Sequence, residues 1–296
     1  MSSRPPTSAQ APQSTKMSML EFVAMKRRGE KIAMVTAYDA PGARLADAAG
    51  VDCILVGDSA AMTVLGREST VSATMDEMLM LTRAVTRGAR RAVVVADMPF
   101  GAYQVSDDDA VRNAIRFVKE AEADAVKLEG AGRSLSRVAA IVGAGIAVMG
   151  HVGLTPQTAT RLGGYRVQGR TAAAAERLRQ DAVALERAGC FAIVLEAIPA
   201  AAARRISEAV SVPTIGIGAG VDCDGQVLVW HDLLGLSAGH VARFVKQYAE
   251  IGDEIRRALG CYVNDVRTSS FPEPRHTYSM SEPERQLLEA ETPDVA

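Results

Sequence analysis

The sequence predicts a single closed (β/α)8 barrel, and three observations lead to it. Eight short apolar runs recur along the chain, nearly continuous in Val, Ile, Leu, Met and Ala, as strands buried on both faces are. Amphipathic stretches with apolar residues three and four apart separate them. The 296-residue length accommodates the roughly 250 residues that such a barrel uses. A doubly wound α/β sheet is the alternative, and it commonly has fewer strands.

In chain order the runs are KIAMVTAYD, CILVGDS, AVVVADMPF, AVKLEG, IAVMGHVG, FAIVLEAIP, PTIGIGAG and QVLVWHD. The spacing predicts helices over 75–88, 107–122, 134–143, 171–188, 200–210 and 238–258, among about eight in all. Ser106 and Asp107 are suited to start one helix, while Gly88, Gly143 and Gly189 are suited to end others in a left-handed cap. Residues 1–16 are rich in Pro, Ser, Gln and Thr and predict a flexible tail. The barrel domain is expected over 17–266. Residues 267–296 form a C-terminal segment whose stretch FPEPRHTYSM is aromatic enough to dock locally before the chain becomes flexible.

Composition narrows the partners. The chain is 48% hydrophobic, enough for a large core, and no apolar run approaches the ~18 residues of a membrane helix. A formal charge of -2 with interspersed signs offers no field for nucleic acid. The expected partners are small molecules. Cys53, Cys190, Cys223 and Cys261 form no CxxC pair and follow no secretory signal, which fits reduced thiols in the cytoplasm.

Barrel chemistry is expected where strands end. The runs end in Thr36 and Asp39, Asp58 and Ser59, Asp97, Lys127 and Glu129, His151, Glu196, and the glycines of IGIGAG. Any one of these fits a strand stop or a helix cap, but a closed barrel brings them to one rim. Asp58, Asp97 and Glu129 would repel one another without a cation between them. Hard oxygen ligands suit Mg²⁺, with Asp58 and Asp97 direct and Glu129 nearby through water. His151, His231, His240 and His276 lack zinc-ligand spacing. Lys127 shares a strand face with Glu129, so it can meet a substrate carboxylate or form a buried ion pair. His151 can hydrogen-bond a substrate oxygen or stabilise its loop. Glu196, held between IVL and AIP, is expected to lose hydration and gain the basicity that proton removal beside a carbonyl requires. The glycines of 216–220 suit either anion binding or close packing.

The motifs VTAYD, LVGDSAAMTVLGREST, ADMPFGAY, VKLEG, GHVGLTPQ, GGYRVQGR, IVLEAIP, IGIGAGVDCDGQVLVWHDLLGL and FPEPRHTYSM, in this order over roughly residues 17–280, resemble the 3-methyl-2-oxobutanoate hydroxymethyltransferases, also called ketopantoate hydroxymethyltransferases. The resemblance implies a TIM barrel of the phosphoenolpyruvate/pyruvate class acting in pantothenate and coenzyme A biosynthesis. It implies transfer of a one-carbon unit from 5,10-methylenetetrahydrofolate to 3-methyl-2-oxobutanoate through a Mg²⁺-stabilised enolate, giving 2-dehydropantoate and tetrahydrofolate. Carried over by motif, Mg²⁺ falls on Asp58 and Asp97 with Glu129 completing its surroundings, and the keto acid on Asp58, Ser59, Asp97 and Lys127. The base falls on Glu196, and His151 matches a supporting pocket histidine. A homo-oligomer, commonly a decamer, is implied as well.

The chain departs from the pattern at GREST, 66–70, where relatives often have GHDST or GYDTT, and at VSAT, where proline is common. Arg67 and Glu68 are thereby placed near the pocket rim. Two other functions fit the barrel. One is a related metal-dependent C–C lyase, although no cysteine sits in a Gly-rich loop as such lyases commonly require. The other is a non-catalytic keto-acid- or folate-binding barrel, against which Asp58, Asp97 and Glu196 argue.

Overall fold

A computed structural model describes residues 15–237 and 241–290. The strands β1 (Ile32–Thr36), β2 (Cys53–Val56), β3 (Val93–Asp97), β4 (Ala125–Lys127), β5 (Ala147–Gly153), β6 (Ala192–Glu196), β7 (Thr214–Ile217) and β8 (Gly225–Leu228) pair in parallel in sequence order. β8 pairs back onto β1, with Met34 opposite Val227. The sheet therefore has no edge, and the doubly wound alternative is excluded. Helices α1 (Met19–Arg28), α2 (Ala40–Ala48), α3 (Ala60–Thr63), α4 (Met75–Gly88), α5 (Asp107–Ala121), α6 (Ser134–Gly143), α7 (Ala172–Arg187) and α8 (Ala200–Ala209) precede or alternate with the strands. After β8 come the single turn α9 (Trp230–Leu233), then α10 (Ile251–Arg267) and α11 (Glu282–Ala290).

Side chains alternate across each strand, so β1 to β6 each feed two cores. Cys53 and Leu55, Val93 and Val95, Ala125, Met149, Ala192 and Val194 fill the barrel interior. Their neighbours Ile54 and Val56, Val94 and Ala96, Val126, Val148, Ile193 and Leu195 pack outward under the helices. This double burial is why the runs read as continuously apolar. α1, which the spacing did not predict, closes the floor: Phe22 and Met25 join the interior cluster, and Phe22 meets Phe191 edge-on at 5.7 Å. Lys16, expected at the end of the flexible tail, docks with Nζ 2.8 Å from the Ala92 carbonyl and 2.7 Å from Asp124. The rest of the expected tail, up to residue 14, lies outside the described residues.

Helix ends follow their sequences with two corrections. Ser106 accepts from the Asp109 N–H at 3.1 Å and starts α5 as expected. Gly189 has a φ of 103°, but Gly88 and Gly143 are the last residues of their helices and are not left-handed. Gly88 is required by close approach: a Cβ there would lie 2.4 Å from the Ala40 carbonyl oxygen.

The C-terminal region differs more. The helix expected over 238–258 is borne out only over 251–258, the first part of α10, and among the described residues 241–250 are irregular chain with a turn. The backbone N–H groups of Tyr248 and Ile251 bond the Leu233 and Leu234 carbonyls at 2.8 and 2.9 Å, taking donors that a continuous helix would have spent internally. Residues 238–240 lie outside the described part. No residue of α10 is buried. Phe271 packs on Tyr262 at 5.8 Å and on His276 at 5.4 Å, and residues 291–296 of the expected flexible end lie outside the described part.

Candidate active site

The interior parity that fills the barrel with Val93 and Val95 continues to Asp97 on β3. In the same way Ala125 leads to Lys127 and Glu129, Met149 to His151, and Val194 to Glu196. One step toward the C-terminal ends of the strands, the core thus changes from apolar to ionisable. Asp58 arrives differently: Gly57 turns the chain beyond β2, and the Asp58 N–H points to Asp97 Oδ2 at 3.3 Å.

These side chains are buried: Asp58, Asp97, Lys127, Glu129 and His151 are each 5% exposed or less. Lys127 Nζ donates to Asp97 Oδ1 at 2.6 Å. Burial alone would lower the basicity of Lys127, but Asp97, Glu129 and Asp58 outweigh it and hold the ammonium charged. Burial and then Asp97 push Asp58 up to about 7, against Lys127 and a hydrogen bond from Gln157. Burial also pushes Glu129 well above the usual carboxylate range. The buried carboxylates therefore outnumber the one buried ammonium.

His151 stands between the two glutamates. Its Nε2 lies 3.4 Å from Glu196 Oε2 and its Nδ1 lies 3.8 Å from Glu129 Oε1, and neither nitrogen makes a hydrogen bond among the described residues. Burial and the charge of Lys127 lower its basicity and favour the neutral ring. Glu196 is less enclosed than its apolar neighbours suggested, with its side chain 17% exposed toward the mouth. Its backbone is tightly held. The Leu154 N–H bonds the Glu196 carbonyl at 2.9 Å, and a Cβ on Gly153 would lie 2.2 Å from that oxygen. Ala197, next in the chain, has a φ of 47°, a conformation that costs a non-glycine residue about 1–3 kcal/mol and is characteristic of functional sites.

The sequence reading assigned no role to Gln157 and Tyr103, which tie the site together. Gln157 Nε2 donates to Asp58 Oδ2 at 3.0 Å and to the Met98 carbonyl at 2.9 Å, and its N–H donates to Glu129 Oε2 at 3.0 Å. Tyr103 donates to Gln157 Oε1 at 2.6 Å and accepts from the Glu129 N–H at 3.2 Å. Both lie in the motifs ADMPFGAY and GHVGLTPQ, as the last residue of each. Ser59 sits at the rim and shares a 2.8 Å hydrogen bond with the Tyr38 hydroxyl. Tyr165, largely exposed, lies near enough to the site to feel its carboxylates. Partial burial raises its phenol, and the charges of Asp58, Glu196 and Glu129 add to the effect.

Among the described residues no three His, Cys, Asp or Glu side chains form a ready-made metal cage. The pair Asp58 and Asp97 nevertheless fits Mg²⁺, which takes one or two carboxylates and fills its octahedron with water and substrate oxygens. The surplus of buried carboxylate supplies the charge that a divalent ion balances, and Thr70 Oγ1 and the His151 nitrogens are buried polar atoms left without partners. The glycines of 216–220 are accounted for by packing: a Cβ on Gly216 would lie 2.9 Å from Cys223 Sγ, and one on Gly220 2.5 Å from Ala200 Cβ.

Comparison with known proteins decides the family. The ketopantoate hydroxymethyltransferase family matches residues 16–274. The chain belongs to this family. The 3-methyl-2-oxobutanoate hydroxymethyltransferase of Moorella thermoacetica is 57% identical over 266 residues, covering 90% of this chain and 99% of that one. The enzyme of the same name from Carboxydothermus hydrogenoformans is 54% identical over 257 residues, 87% of this chain and 93% of its own. As a ketopantoate hydroxymethyltransferase family member the chain is an enzyme, a one-carbon transferase of pantothenate biosynthesis. Among solved structures, 2,3-dimethylmalate lyase of the PEP mutase/isocitrate lyase superfamily aligns with a TM-score of 0.55 at 14% identity, covering 90% of this chain and 95% of that one. Phosphonopyruvate hydrolase in complex with oxalate and Mg²⁺ aligns with a TM-score of 0.56 at 14% identity, covering 93% and 99%. At such identity these two speak for the barrel alone. No helix among the described residues is long and apolar enough to cross a membrane.

Proposed function

We propose that the enzyme transfers the one-carbon unit of 5,10-methylenetetrahydrofolate to C3 of 3-methyl-2-oxobutanoate, yielding 2-dehydropantoate and tetrahydrofolate, with water supplying the new hydroxyl. The observation that carries this reading is the inward row of Asp97, Lys127, His151 and Glu196 at one end of an otherwise apolar barrel, with Asp58 joined to it through Asp97.

Asp58 and Asp97 would hold Mg²⁺, with Glu129 behind them, and the ion would supply positive charge beside the 2-oxo oxygen. The rim hydroxyl of Ser59 and the Lys127 ammonium receive the keto acid's carboxylate. Glu196, open to the mouth and fixed at its backbone, removes the C3 proton. His151, neutral and without a hydrogen bond among the described residues, offers its one N–H to a substrate oxygen from its place 3.4 Å from Glu196. C3 then bonds to the methylene carbon, whose two bonds to the folate nitrogens break as water supplies its hydroxyl. The nitrogens take the proton that Glu196 removed and the remaining proton of the water, and C3, now quaternary, cannot lose a proton again. Gln157 holds Asp58 and Glu129 at fixed separation throughout.

A homo-oligomer, with the decamer implied by resemblance, belongs to the same reading. Ile251, Ile255, Leu259, Tyr262, Val263 and Val266 form an exposed apolar stripe on α10 that supports packing against a second copy. The reading places the enzyme in the cytoplasm, which its four free cysteines suit. The test is proton NMR of the two substrates with the enzyme, before and after EDTA. Metal-dependent formation of 2-dehydropantoate is expected, and failure to form it with Mg²⁺ supplied contradicts the reading.

A further inference from the structure

A cleft of about 710 Å³ opens beside the candidate active site, and the steps proposed above leave it unused. Its volume lies within the range of small-molecule sites, roughly 300–1,000 Å³. Glu129 and Val152 line it from the strand ring, and Leu178 and Asp181 line it from α7 in the helix ring. It therefore runs outward from the barrel mouth between the first turn of α6 and the flank of α7.

Two features mark the cleft as built for a ligand. The first is Asp181. It is half-buried, accepts no hydrogen bond and forms no ion pair among the described residues, and its neighbours exact a desolvation cost that raises its pKa, with Arg177 tempering the effect from beyond ion-pair distance. A carboxylate held this way lacks a donor. The second is the disposition of arginines. Arg137 is fully engaged with the Tyr103 carbonyl and Asp107, whereas the side chains of Arg133 and Arg161, on the same cleft, bond nothing among the described residues. The Gly130-Ala131-Gly132 loop and Leu178 also line the cleft and give it an apolar part.

We infer that this cleft seats the reduced pterin co-substrate. Asp181 accepts from the adjacent amino and ring N–H groups of the pterin, and Arg133 and Arg161 meet its acidic tail at the rim. The inference rests on the function proposed above, because it takes the folate donor from that reading. It adds the location and the recognition chemistry. A carboxylate facing two parallel N–H donors makes a bidentate, charge-assisted pair. The arrangement also sets the two substrates on opposite sides of Glu129, so the methylene carbon enters from the helix ring while the keto acid occupies the barrel axis.

The test is calorimetric titration of the full-length enzyme with 5-formyltetrahydrofolate, a stable donor analogue, beside deuterium exchange at C3 of the keto acid in folate-free D₂O. Asp181→Asn is expected to weaken binding by about 10- to 100-fold, the usual loss for one charge-assisted pair, with exchange unchanged. Arg161→Glu, at an exposed position that does not support the fold, is expected to weaken it less and in a salt-dependent way. Equal affinities for the parent and Asp181→Asn overturn the assignment while leaving the proposed reaction standing. Normal pterin binding by a parent that exchanges no C3 proton overturns the proposed reaction and leaves the cleft assignment intact.

Discussion

The lower and upper halves of the barrel interior are built by the same strands with the same inward parity, yet they differ in almost every physical respect. Below, Phe22, Met34, Leu55, Val93, Val95 and Met149 pack without polar atoms around a floor that α1 seals. Above, Asp97, Lys127, Glu129 and His151 are just as buried but carry charge or unpaired nitrogens. The contrast teaches that stability and chemistry are divided along the barrel axis. A two-residue advance along a strand exchanges one for the other.

Substitutions in the two halves should separate cleanly. Glu196→Gln is expected to lower turnover by about 100- to 10,000-fold, the usual contribution of a positioned base, with its melting temperature unchanged. Steady-state kinetics beside calorimetric melting check this. Phe22→Ala should reverse the pattern. It removes a fully buried ring from the floor and is expected to cost about 3–5 kcal/mol of stability while sparing the chemistry at temperatures where the protein stays folded, as urea unfolding would show.

Tyr103→Phe tests the upper layer's internal wiring. It leaves Gln157 Oε1 and the Glu129 N–H without their partner and should cost about 1–3 kcal/mol, with a raised KM for keto acid as Asp58 and Glu129 lose their spacing. Retention of both stability and KM would show that the network only decorates the site.

The smallest effect lies at the rim. Arg67, the departure from the family pattern, pairs with Glu77 and donates to the Ser72 carbonyl at 2.7 Å, tying the loop to the start of α4. The hydrogen bond from Arg67 and the capping bonds from Thr74 hold the Glu77 carboxyl down at about 2. Because its folded pKa is depressed, Glu77 stabilises the fold above its ordinary value of 4.5, and that contribution is lost as pH falls toward about 2. The pair is partly exposed, so Glu77→Gln should cost under ~1 kcal/mol near neutral pH and nothing at the acid end, which melting at several pH values would reveal.

Much of this division was legible in the sequence. The barrel followed from eight doubly buried runs, and the strand-end residues followed from reading where each run met its first polar group. The inward direction of Lys127 and Glu129 needed only the two-residue period. Other features depend on contacts that no local pattern encodes. Gln157 reaches Asp58 across 99 positions and Tyr103 across 54, through loops whose geometry only the closed barrel defines. The floor helix α1 carries just two inward residues, too few for a periodic signal. The helix expected over 238–258 starts only at Ile251, because the Leu233 and Leu234 carbonyls capture the Tyr248 and Ile251 donors that a longer helix would have used. Gly88 resembled a cap because close packing against α2 and a left-handed turn both favour glycine.

The central claim is that the upper layer removes a proton from C3 of a branched keto acid. Its most direct test is the C3 proton signal of 3-methyl-2-oxobutanoate in D₂O with enzyme, Mg²⁺ and no folate. The account predicts steady loss of that signal with the parent enzyme, its arrest by EDTA, and no loss with Glu196→Gln. Exchange by Glu196→Gln at the parent rate would contradict it.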